Sequence, residues 1–138
     1  MRTTLLAAVL IALLVAGCGG DEAAAEDTVS TAISGLAAGD EQKVCDQLTA
    51  GAKKKLLATL ANNPLGFKNI RAKTCEEGIT KLYDSLGEPI RAVLRDGEVQ
   101  DTRLDGDKAV VHVTGAGMDI ELEKLDDRWM ITGGLFKK

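Results

Sequence analysis

Apolar residues fall into three regimes along this chain. Leu5 through Ala16 is an unbroken apolar run of 12 residues behind a short basic start, Met1-Arg2-Thr3-Thr4. From residue 26 to residue 94 they recur at helical spacing. Val29, Ala32, Ile33 and Leu36 give one face to a helix over Glu26–Ala38, which Gly39 stops. Asp40 suits the N-cap of a second helix with Val44, Cys45 and Leu48 on one face. Thr49 can cap a third, with Ala52, Leu56, Leu57 and Leu60 apolar, ended by Asn62-Asn63-Pro64. Residues 65–73 read as loop. Thr74-Cys75-Glu76-Glu77 has the form of a capping box, in which the Thr side chain takes the amide of Glu77 and Glu77 reaches back to the cap amide. Ile79, Leu82, Tyr83 and Leu86 follow on one face, closed by Gly87, and Pro89 opens a short helix through Leu94.

After Gly97 the period drops to two. Val99–Leu104 reads as a strand, and Asp105-Gly106 is a strong signal for a two-residue hairpin turn. Lys108–Thr114 alternates, with Ala109, Val111 and Val113 on one face and Val110, His112 and Thr114 on the other. Gly115-Ala116-Gly117 turns the chain. Met118, Ile120 and Leu122 then alternate with Asp119, Glu121 and Glu123. Asp126-Asp127 makes another tight turn before Trp129 and Ile131. This is a meander of about four antiparallel strands with one wet, acidic face. Its dry face needs a cover, and the amphipathic helices supply it. The expected fold is therefore α+β, with N-terminal helices packed on a C-terminal curved antiparallel sheet.

The first apolar run is too short to span a bilayer, which takes about 20 residues, and it has the length of a secretory h-region. It ends in Val15-Ala16-Gly17-Cys18, which resembles a bacterial lipobox: an aliphatic residue, two small residues, then Cys. That resemblance implies a diacylglycerol on the Cys18 thiol and cleavage before it, hence a signal peptide over 1–17. Residues 18–25 follow as lipidated Cys and tether, and the folded domain occupies 26–138. It also implies attachment at the outer face of the bacterial cytoplasmic membrane. Cleavage leaves 121 residues and shifts the net charge from −4 to −5. A body of that charge does not adhere to anionic headgroups, so the lipid does the anchoring.

The chain has three Cys. With Cys18 acylated, Cys45 and Cys75 remain, and the oxidising compartment favours a disulfide between them over two buried thiols. Such a bridge staples the second helix to the fourth.

The order of helices and strands resembles a known family through three segments. They are Val99-x₄-Leu104-Asp105-Gly106-Asp107-x-Ala109-x-Val111-x-Val113, Met118-x-Ile120-x-Leu122 and Arg128-Trp129-x-Ile131. They resemble the small exported domains of the NTF2-like (SnoaL-like, ketosteroid-isomerase-like) superfamily, to which many actinobacterial lipoproteins are similar. The likeness covers residues 26–133. It implies a sheet curled into a cone closed by the helices. The candidate lining of that cone is Leu57, Leu60, Tyr83, Leu86, Val111, Val113, Ile120, Leu122 and Trp129.

Enzymes of that superfamily place acid-base groups inside the cone, where an apolar pocket raises a carboxyl pKa. The candidates here are Asp101, Tyr83 and the sole histidine, His112. His112 belongs to the less apolar face of its strand and is expected outward. Tyr83 reads as core with a solvated hydroxyl, and Trp129 as a core anchor. Lys53-Lys54-Lys55 spans nearly a full helical turn and reads as a solvated face. No nucleophile elbow, zinc-protease, P-loop or dinucleotide motif is present. No metal or cofactor site is spelled out, and no catalytic residue is assigned. Scarce aromatics and the negative charge argue against nucleic acid as a partner. The expected function is a lipid-anchored, non-catalytic domain that binds a small apolar ligand or acts as a scaffold at the cell envelope. The alternatives are an isomerase- or cyclase-like enzyme using the cone, and an interaction module for an envelope partner.

Overall fold

Short polar side chains set the helix starts. Asp40 accepts a hydrogen bond from the amide of Lys43 at 3.0 Å, Thr49 from that of Ala52 at 3.1 Å, and Thr74 from that of Glu77 at 3.2 Å. Each satisfies an amide that the first helical turn leaves without a partner. The computed structural model describes residues 20–62 and 69–135. Its elements run α1 (Gly20–Ala38), α2 (Glu41–Cys45), α3 (Ala50–Asn62), α4 (Cys75–Ser85) and α5 (Glu88–Asp96). Four strands follow: β1 (Val99–Asp105), β2 (Lys108–Val113), β3 (Met118–Leu125) and β4 (Arg128–Gly133). The signal-peptide and Cys18 expectations lie outside the described residues.

The strands form one antiparallel sheet in the order β1-β2-β3-β4, not closed into a barrel. Helices pack against one face of it, so the fold is the expected α+β. Alternation decides which face. Ala109, Val111, Val113, Ile120, Leu122, Trp129 and Ile131 are all buried, and they meet Val29, Ala32, Ile33 and Leu36 of α1 in one hydrophobic core. Leu48 bridges in parallel to Ile131, with the Thr49 amide donating to Ile131 O and the Ile131 amide to Gln47 O. One sheet edge is thereby covered, and β1 forms the other.

Several details depart from the sequence reading. The first helix begins at Gly20, so residues 20–25 are its opening turns rather than a tether, and Ala25 is fully buried. Leu48 lies beyond the second helix. Glu77 takes the amide of Lys73, at 2.8 Å, rather than the cap amide of Thr74. The first hairpin turn sits one residue later than Asp105-Gly106: Asp105 pairs with Lys108, leaving Gly106-Asp107 as the loop. Gly106 alone of the two has positive φ, +59°. That is the glycine-first turn rather than the Asp-Gly one. Asp126 and Asp127 do form a tight turn, both with positive φ.

Candidate functional site

Seven of the nine candidate cone-lining residues are core side chains. Val111 and Ile120 are completely inaccessible, and Leu60, Leu86, Val113, Leu122 and Trp129 are buried as well. They belong to the same hydrophobic core as the buried helix residues. Leu57 is half-buried on α3, where Leu57 and Leu60 close over Gly78 of α4. Tyr83 departs from the expectation of a core residue. Its ring lies flat against Gly39, where a Cβ would stand 2.9 Å away, and the Arg91 guanidinium covers it at 4.1 Å from the centroid. Arg91 also donates to the Tyr83 carbonyl at 2.8 Å. The stack joins the end of α1, α4 and α5 and stands apart from the sheet.

Of the three acid-base candidates, Asp101 and His112 are cross-strand neighbours and Tyr83 stands apart from them. His112 is on the outer face of the sheet, as alternation implied, with its side chain 41% exposed. Its Nδ1 lies 2.8 Å from Oδ1 of Asp119, an ion pair when the imidazole is protonated. Asp101 is the cross-strand partner of His112 on the other side. The histidine is thus flanked in the sheet by two carboxylate-bearing positions. Its partners offer no hydroxyl or thiol to activate, and the exposure leaves the pair highly screened. Among the described residues, no three His, Cys, Asp or Glu gather as a metal site.

Space is found in shallow grooves open to solvent. One of about 230 Å³ runs between α3 and β4, over Leu48, Ala52, Leu56, Ile131 and Leu135 with Lys55 and Thr59 at its rim. Another of about 270 Å³ lies between α1, α5 and the start of β1, over Ile33, Ala37, Leu94, Val99 and Val113. A third, on the outer sheet face, includes Leu122. These three grooves thus include only Val113 and Leu122 of the nine candidates. The first two fall below the roughly 300 Å³ at which small-molecule pockets begin, and the third, about 330 Å³, stands just above it but is open to solvent on the outer sheet face.

Cys45, at the end of α2, and Cys75, at the start of α4, form a disulfide with an S–S distance of 2.00 Å and Cα atoms 6.0 Å apart. The bridge closes a loop around α3, in which Ala52, Leu56 and Leu60 are the buried residues.

The contacts that sequence reasoning missed lie at the start of α1. Lys124 Nζ pairs with Asp21 Oδ1 at 2.8 Å, and Thr102 donates to Glu26 at 2.8 Å. Thr28 donates to the Trp129 carbonyl at 3.2 Å. The Lys124 hydrogen bond, opposed by some desolvation, holds the Asp21 carboxyl below its ordinary range. The indole N–H of Trp129 is buried and adds a smaller pull toward Asp21 without reaching hydrogen-bond geometry. Each contact joins residues more than 70 positions apart, so no local pattern announces it. Among the described residues, no helix is long and apolar enough to cross a membrane. No protein-family model, curated protein or solved structure matches the chain.

Proposed function

We propose that this chain is a lipid-anchored extracytoplasmic domain with a non-catalytic, scaffolding role at the cell envelope. A diacylglycerol on Cys18 holds it at the outer face of the bacterial cytoplasmic membrane. The anchor reading draws on the apolar run and on the small residues ahead of the Cys18 thiol. Two acyl chains bury enough methylenes, at about 0.8 kcal/mol each, for stable attachment. The NTF2-like resemblance is kept as a reading of architecture alone, because its enzymes need a pocket.

One observation favours a scaffold over an enzyme or a carrier of an apolar ligand: the interior between helices and sheet is filled. Ile79, Leu82, Val29, Val111, Ile120 and Ile131 each expose less than 2% of their surface. Such packing among the described residues argues against a guest between helices and sheet and against a desolvated carboxyl group there. Asp101 and His112 pair across neighbouring strands with His112 on the outer sheet face, and Tyr83 stacks under Arg91 away from them.

Cys18→Ala tests the reading. In a bacterial host with a lipoprotein pathway, wild type partitions with membranes and resists extraction by high salt and alkali. The variant moves to the soluble fraction or accumulates as uncleaved precursor. A Cys18→Ala protein that remains membrane-bound at mature size contradicts the proposal.

A further inference from the structure

Rigid structure begins very close to the anchor. Gly20 is the first described residue of α1, only two positions after Cys18. Two extended residues span about 7 Å. Given the anchor reading, on which this inference rests, the first described turn of α1 is held close to the headgroup layer. That turn is fixed to one end of the sheet by the Asp21–Lys124 and Glu26–Thr102 contacts. The turns at 106–107 and 126–127 are at the same end, joined through the Lys124 amide, which donates to Asp107 O at 2.7 Å.

Leu104 is 43% exposed and Leu125 is 44% exposed, each at the end of its strand beside one of these turns. A single exposed leucine is ordinary. Here two stand on the end of the molecule that the anchor brings to the bilayer. We propose that this hairpin end rests on the membrane surface, with Leu104 and Leu125 as shallow apolar contacts. The far end of α1, about 28 Å away along a 19-residue helix, points away from the membrane. Two leucines do not recruit a free protein. The covalent anchor supplies the high local concentration that populates a weak contact. The turns carry Asp105, Asp107, Asp126 and Asp127 against Lys108 and Arg128, a net negative charge that anionic headgroups oppose and zwitterionic ones do not.

Collision accessibility of a nitroxide decides the matter in the full-length lipidated protein, purified from membranes and reconstituted in phosphatidylcholine vesicles. With Cys18 acylated and Cys45 and Cys75 bridged, an introduced thiol is the one labelled. Asp107→Cys reports the hairpin end and Ala38→Cys the exposed end of α1. The label at 107 loses accessibility to a water-soluble nickel complex relative to the label at 38. Leu104→Glu with Leu125→Glu restores parity while the protein stays on the vesicles. Admixed phosphatidylglycerol at low salt reduces the loss. Equal accessibility at 107 and 38 in vesicle-bound wild type, or protection at 38 instead, overturns the orientation and leaves the anchor standing. A protein that does not stay on the vesicles overturns both.

Discussion

Gly134 shows how tightly single residues are specified. It follows β4 with φ at +92°, and a methyl group there would overlap the carbonyl oxygen of Asp119. Backbone, not a flexible side chain, is in the way, so the strand end must move. Gly134→Ala is expected to cost about 2 kcal/mol or more, read as a lower midpoint in urea unfolding. A midpoint unchanged from wild type contradicts the geometry. Charge acts at this scale as well. The Lys73 amide first, then Lys81, hold the Glu77 carboxyl below its ordinary value of 4.5. A carboxyl depressed in the folded state adds stability above its unfolded pKa, and that stability is lost as pH falls through the folded value. Glu77 is well exposed, so the effect is small. Glu77→Gln keeps an acceptor at the cap and removes only the charge. Its deficit in melting temperature against wild type is expected at pH 7 and should vanish near pH 3. A deficit that is constant over this range assigns the effect to shape rather than charge.

At the scale of elements, the staple between α2 and α4 matters most. In the chain-entropy account, opening a loop of about 30 residues removes about 3.5 kcal/mol. Cys45→Ser is therefore expected to lower the melting temperature by many degrees, with Cys75 becoming reactive to a thiol reagent. Wild type already showing two free thiols contradicts the bridge. The pairing was legible because the lipobox resemblance sets Cys18 aside and leaves two cysteines. The starts at Asp40, Thr49 and Thr74 were legible because capping is decided within four residues. The start of α1 was not. Gly20-Asp21-Glu22 has the composition of a tether, yet these residues are helical, and distant Lys124, Thr102 and Trp129 contact Asp21, Glu26 and Thr28 of the same helix. The same limit hid the Tyr83 stack, since Arg91 comes from another helix. Asp105-Gly106 misled by one residue because two turn types compete for the same glycine.

At the scale of the whole molecule, periodicity showed which side chains face the core but not whether the core contains a void. Val111, Ile120 and Trp129 were placed on the dry face correctly, and that face is filled by α1 instead of lining a cavity. A packed helix-over-sheet body at the end of a covalent lipid is the account proposed. Native mass spectrometry of the full-length protein expressed in bacteria and extracted from membranes tests it most directly. The account predicts a chain of 121 residues beginning at Cys18, heavier by a diacylglycerol and lighter by the two hydrogens of the disulfide, with no retained small molecule. A chain starting elsewhere with Cys18 unmodified, or a stoichiometric guest released only on unfolding, would contradict it.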